Sequence, residues 1–92
     1  MPYIKLENRE YFKEMLEKLD RCAISTPGEL NFLFIEVVKQ YMVTHAESYQ
    51  TYNDIFGALE CCQFELYRRK IAGYEDKKVS ENGDVFVEVK ID

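Results

Sequence analysis

Ser25-Thr26-Pro27-Gly28-Glu29 decides where the most apolar element of the chain begins. Thr26 followed by Glu29 three residues later is a capping box. The threonine hydroxyl accepts from the Glu29 N–H, and the carboxylate reaches back to the Thr26 N–H. Pro27 falls at the first helical position, where its missing N–H would have had no partner inside the helix. The spacing predicts a helix over 27–45, ending near His45. Leu30, Phe32, Leu33, Phe34, Ile35, Val37, Val38, Tyr41 and Met42 cover most of its circumference in the first half. A helix apolar nearly all round is buried on several sides, centrally in a fold or against another subunit.

Upstream of this start signal, Tyr11, Phe12, Met15, Leu16, Leu19, Cys22 and Ala23 recur at helical spacing between charged residues. They predict an amphipathic helix over 8–24 with Asn8 as its N-cap. Residues 1–7 read as an extended arm in which Tyr3-Ile4-Lys5-Leu6 alternates weakly. Downstream, residues 46–50 form a polar connection, and Thr51 is the expected cap of a third helix over 51–73 with Asp54 in the capping-box position. Tyr52, Ile55, Phe56, Leu59, Cys62 and Leu66 make its inner stripe, and Gly73 is its expected C′ residue. The tail changes period. Asn82-Gly83 lies between Lys78-Val79-Ser80-Glu81 and the alternating run from Asp84 to Ile91, which predicts a β-hairpin over 78–91. The expected fold class is mainly α: a single three-helix domain spanning 1–92, with a short C-terminal hairpin and the N-terminal arm as a strand available to pair with it.

Composition bounds the function. The chain has 92 residues, 47% of them apolar, with 12 Lys plus Arg against 17 Asp plus Glu, a formal net charge of −5. That balance opposes nonspecific nucleic-acid binding, which needs a basic face to displace counterions. No apolar run approaches the roughly 20 residues of a membrane span, so no membrane partner is expected. Three cysteines, two of them the adjacent Cys61 and Cys62, are no disulfide framework. They point to a reducing compartment, the cytoplasm of a cell or of a host cell. A domain this small buries only around 60–65% of its unfolded surface. Seven Tyr and six Phe are more aromatic surface than one small core hides, so a homo-oligomer is expected.

The densest polar set lies at the end of the third helix and just beyond it: Glu60, Glu65, Tyr67, Arg68, Arg69, Lys70, Tyr74, Glu75, Lys77 and Lys78. Guanidinium groups beside aromatic rings suit a phosphate and a stacked base. A ligand site of Tyr67, Arg68, Arg69, Tyr74 and Lys78 is therefore expected, joined by Asn53 and Glu60, which share a helix face across Gly57. A plainer reading stands beside it. Cations in a last helical turn oppose the macrodipole, at roughly 0.3–1 kcal/mol each. Glu65 with Arg69 is an ordinary i,i+4 pair, and Asn53 and Glu60 serve as hydrogen-bonding groups between helices. His45 lacks the spacing of a metal ligand and sits where terminal carbonyls need donors. No nucleophile elbow, phosphate loop or dinucleotide fingerprint is present. No catalytic residue, metal site or cofactor is assigned, and an enzyme ranks below a binding protein or an interaction module.

The blocks Gly28-Glu29-Leu30-Asn31, Tyr52-Asn53-Asp54-Ile55-Phe56-Gly57-Ala58-Leu59-Glu60, Glu65-Leu66-Tyr67-Arg68-Arg69, Tyr74-Glu75-Asp76-Lys77-Lys78 and Glu81-Asn82-Gly83-Asp84-Val85 resemble those of an uncharacterised family. Its members are short proteins of about this length from tailed bacteriophages, bacteria and archaea. The resemblance runs from Pro2 to Val85 and leaves Phe86 to Asp92 as an extension. It implies a phage or mobile-element setting and no activity. It also implies family-typical polar positions at Glu29, Asn31, Asn53, Gly57, Glu60, Glu65, Tyr67, Arg68, Arg69, Tyr74, Glu75, Asn82 and Asp84. Two functions are consistent with all of this. One is an oligomeric protein that binds an anionic small molecule, a nucleotide included, and sequesters a nucleotide signal in a phage–host setting. The other is a protein–protein interaction or structural module without a ligand.

Overall fold

The computed structural model describes residues 2–86, and every regular element among them is helical. Helix α1 (Leu6–Arg9) passes through a 3-10 turn at Glu10–Phe12 into α2 (Lys13–Asp20). Helix α3 spans Pro27–Thr44 and α4 spans Tyr49–Leu66. A π turn at Tyr67–Ile71 then leads directly into α5 (Ala72–Asn82). The chain divides into two compact units, Met1–Ala58 and Leu59–Asp92.

In the first unit α3 begins as its sequence requires. Thr26 Oγ1 accepts from the Glu29 N–H at 3.1 Å, and Glu29 Oε1 accepts from the N–H groups of Thr26 (3.0 Å) and Ser25 (2.8 Å). The Thr26 and Glu29 N–H groups, which a helix start leaves without intrahelical partners, are thus satisfied, Pro27 has no N–H to satisfy, and the Ser25 N–H just outside the helix is held as well. The other end is closed by His45. Its backbone N–H donates to the Tyr41 carbonyl at 3.1 Å, Nδ1 lies 3.1 Å from the same oxygen, and its ring stacks on Tyr41 with centroids 4.1 Å apart.

Helix α4 starts two residues earlier than expected. Ser48 is the capping residue, because its Oγ accepts from the Thr51 N–H at 3.1 Å. Thr51 lies inside the first turn. Its hydroxyl donates to the Ala46 carbonyl at 2.7 Å and lies 3.1 Å from Ser48 Oγ. It is the one buried polar residue among those described. The serine and threonine are both competent caps, and register within a polar loop decided between them. Asp54 takes up other work. It accepts from Gln50 Nε2 at 2.8 Å and from the Tyr41 hydroxyl at 3.4 Å, which ties α4 to α3.

Among the described residues the β elements expected from the sequence do not form, and no strand occurs. At the N-terminus the arm's backbone groups are consumed locally. Ile4 N–H donates to Pro2, the N–H groups of Asn8 and Arg9 both donate to the Lys5 carbonyl, and Arg9 Nε donates to the Ile4 carbonyl at 2.9 Å. Such turns leave no open ladder for a paired strand. The expected first hairpin strand, from Lys78, is instead the last turn of α5. Val79 is its only apolar residue, too little alternation to hold a strand face. Lys78 and Glu81 pair at 3.3 Å across three residues, which suits a helix.

Asn82-Gly83 is correspondingly a helix stop. A type I′ turn needs positive φ at both residues, whereas only Gly83 has it, at 92°, with its N–H donating to the Val79 carbonyl at 2.9 Å. The helix therefore does not end at Gly73, which lies inside α5. Beyond the stop, Asp84 Oδ1 accepts from the Phe86 N–H at 2.8 Å, a local turn. The rest of the expected second strand, 87–91, lies outside the described residues.

The first helix is also more broken than its periodicity suggests. It begins at Leu6 without a side-chain cap, and the 3-10 turn at Glu10–Phe12 interrupts it where Tyr11 and Phe12 meet edge to face at 5.0 Å. Within each unit, the well-populated contacts join segments that follow one another in the chain. Among the described residues no hydrophobic side chain is buried.

Candidate functional site

The residues expected to hold a ligand fall on different pieces of the chain. Asn53 belongs to the first unit. Glu60, Tyr67, Arg68, Arg69, Tyr74 and Lys78 belong to the second. Asn53 and Glu60 are both exposed positions of α4.

The basic stretch is built on a π turn. The Ala72 N–H donates to the Tyr67 carbonyl, five residues back instead of four. One extra residue is thereby fitted into the helical course. Such turns recur at functional sites and trade helix regularity for a re-aimed set of side chains. Tyr67, Arg68, Arg69, Lys70 and Ile71 make up the turn, and no proline causes it. Nothing in the residue spacing announced it.

Arg68 is engaged. Its Nη2 donates to Glu65 Oε1 at 2.6 Å and its Nε to Glu65 Oε2 at 3.4 Å, so the carboxylate holds one edge of the guanidinium. The sequence pairing had been Glu65 with Arg69, and the structure gives Glu65 to Arg68. Arg69 is exposed, and no ion pair involves it among the described residues. Lys78 divides its charge between Glu81 and the face of Tyr74, with Nζ 5.5 Å from the ring centroid. A cation at that distance from an aromatic face is attracted by the ring quadrupole. The structure thus brings Tyr74 and Lys78 together and pins Arg68 on Glu65. It leaves Tyr67 and Arg69 on the surface.

Two concavities lie in the first unit. One of about 410 Å³ is lined by Cys22, Ala23, Ile24, Gly28, Glu29, Phe32 and Leu33. Its lining is mainly apolar, and the Glu29 carboxylate there is already committed to two backbone N–H groups. The other, about 580 Å³, lies along Tyr11, Phe12, Glu14, Met15 and Lys18. Cys22, Cys61 and Cys62 are free and exposed, and Cys22 Sγ donates to the Lys18 carbonyl at 3.3 Å. Among the described residues no group of three or more His, Cys, Asp or Glu is placed to hold a metal ion. No helix among them is long and apolar enough to cross a membrane.

Two phenols titrate away from their ordinary range. The half-buried position of Tyr41 raises its pKa, and the Asp54 carboxylate adds to this through charge and hydrogen bonding. Tyr52 is raised chiefly by its hydrogen bond to Glu47, at 3.0 Å, with the Glu47 charge next. Both are acids whose neutral form the folded chain favours. The stability each adds is present below the ordinary phenol pKa and is lost as pH rises through the raised value. At neutral pH they act as fixed hydrogen-bond donors between α3, α4 and their connection.

A family model described as a domain of unknown function (DUF6899) matches residues 1–85. No curated protein and no solved structure matches the chain.

Proposed function

The chain belongs to the DUF6899 family, and from that premise we propose that it works as a protein–protein interaction module that assembles with further copies of itself. One observation carries this reading. Among the described residues no hydrophobic side chain is buried, and Phe32, Val37 and Phe56 are 63%, 64% and 76% exposed. Burying apolar surface is the main favourable term in folding, at about 25 cal/mol per Å². A chain that leaves its aromatic residues in water has not collected that term alone, and a neighbouring copy supplies it. The test is sedimentation equilibrium at micromolar concentration. The expected result is a multiple of the 10.9 kDa chain mass. A helical, cooperatively melting species that stays at the chain mass throughout the concentration range overturns the reading.

A second reading is favoured by the π turn. Arg69 is exposed beside Arg68 in that turn, five residues before Tyr74, whose ring faces the Lys78 ammonium, a chemistry suited to a phosphate and a base. In this reading the oligomer binds an anionic small molecule, a nucleotide included. The resemblance to proteins of tailed phages then gives the setting, sequestration of a nucleotide signal in the host cytoplasm. The test is thermal unfolding with mono-, di- and cyclic nucleotides. A ligand at 100 times its Kd stabilises by about 2.7 kcal/mol, and Arg69→Ala abolishes that shift while leaving the unliganded midpoint unchanged. If no nucleotide moves the midpoint, this second reading falls and the first is untouched.

A further inference from the structure

Resting on the self-association reading, we infer that Leu30, Phe34 and Val37 on α3 form a seam that receives the α3 of a second copy. Leu30, Phe34, Val37 and Tyr41 follow one another at intervals of four, three and four residues. That spacing places them in the a and d positions of a heptad, the geometry by which two helices interlock. The far end of the seam is already closed within the chain, because Tyr41 is half-buried and bonded to Asp54. The three upstream positions are open, at 41%, 49% and 64% exposure for Leu30, Phe34 and Val37.

The charges of α3 say what kind of surface fits. The helix carries only Glu29, Glu36 and Lys39. Glu29 is spent on the capping box, and Glu36 pairs with Lys39 at 3.1 Å. The positions flanking the seam are Asn31, Leu33, Val38 and Gln40, none of them charged. Two copies meeting along this line bring no like charges together, and a charged partner finds no complementary group. The surface that matches an uncharged, apolar, heptad-spaced helix is the same helix related by a twofold axis.

The open parts of Leu30, Phe34 and Val37 hold on the order of 250 Å² at about 150–200 Å² per full side chain. That is about a third of the ~800 Å² that each partner gives to a stable dimer, so the seam is the centre of the contact and its flanks complete it.

The experiment uses the full chain. Phe34→Glu and Val37→Glu are each expected to weaken self-association at least 100-fold by sedimentation. Phe32→Glu, on the Glu36–Lys39 side of the helix, is expected to change it less than tenfold. A loss that follows Phe32→Glu and spares the seam variants overturns the seam and leaves self-association standing. A monomeric parent chain overturns the self-association reading itself. Because a charged seam variant can fail to fold, a second measurement decides independently. With Phe34 replaced by benzoylphenylalanine, photolysis is expected to give a covalent dimer whose cross-link maps within 27–44 of the other copy. A cross-link that maps elsewhere overturns the proposal.

Discussion

Replacing Thr51 by valine is expected to lower the thermal midpoint of the chain by about 5–10 °C, from a loss of about 1–2 kcal/mol. Valine keeps the shape and the β-branch, so packing is preserved and only the hydroxyl is removed. That hydroxyl donates to the Ala46 carbonyl at 2.7 Å and lies 3.1 Å from Ser48 Oγ, in the one buried polar position described. Without it the Ala46 carbonyl loses its donor beside an apolar methyl, and an unmade bond in such a place costs more than a formed one contributes. Ser48→Ala is expected to cost about 1 kcal/mol, because it strips the cap from the Thr51 N–H. Circular dichroism melts at one fixed protein concentration measure both, since midpoints of associating chains depend on concentration. A Thr51→Val midpoint within a degree of the parent would show that the connection between α3 and α4 carries no stability of its own.

The second large effect is expected at the start of α3. Thr26→Ala should cost about 1 kcal/mol and Glu29→Ala about the same, since each removes one half of the reciprocal cap. The double variant should cost less than the sum of the two, by roughly 0.5 kcal/mol or more. Once either partner is gone the other has lost part of its purpose, which is the signature of directly coupled groups. Glu29→Gln is the informative conservative change. Its carbonyl oxygen still accepts from the Ser25 and Thr26 N–H groups, so it should retain most of the stability that alanine loses. Equal losses for glutamine and alanine would mean that charge at the helix start matters and the hydrogen bonds do not. Strict additivity would mean that the two half-caps act separately.

These two caps also mark how far the sequence could be read. The box at Thr26–Glu29 is a contact among residues three apart, and its pattern has one geometric solution. The polar stretch before α4 has several. Ser48 and Thr51 are both good caps, and Thr51 was expected in the role that Ser48 takes. Asn82-Gly83 shows the same ambiguity. A positive φ at glycine serves a hairpin and a helix stop equally well, and the flanking residues decide. The Lys78–Glu81 pair and the lone Val79 favoured the helix, while the alternation that suggested a hairpin lay mostly beyond Asp84. Gly73 was expected to end a helix that runs through it, because glycine weakens a helix by only about 1 kcal/mol and neighbouring turns outweigh that.

The candidate site was legible in composition and not in arrangement. The cluster of Tyr67, Arg68 and Arg69 was visible as a basic, aromatic stretch in an acidic chain. Which arginine Glu65 would hold was not, because residues three and four apart both neighbour it on a helix. The π turn left no mark in the spacing, since it is an adjustment of backbone hydrogen bonds that any residue types here could make.

Sequence by itself determined that residues 27–44 form a helix, where it starts and that its circumference is largely apolar. Those properties depend on atoms within one or two turns of each other, and local hydrogen bonds and side-chain spacing are sufficient to set them. Only the tertiary structure decided that residues 2–9 and 78–86 fold locally instead of pairing as strands, that Arg68 is held while Arg69 is not, and that the apolar surface of the described residues stays open. Strand pairing and burial need a partner distant along the chain, and ion-pair choice needs the actual side-chain paths, so none of the three is encoded in the neighbourhood of a single residue.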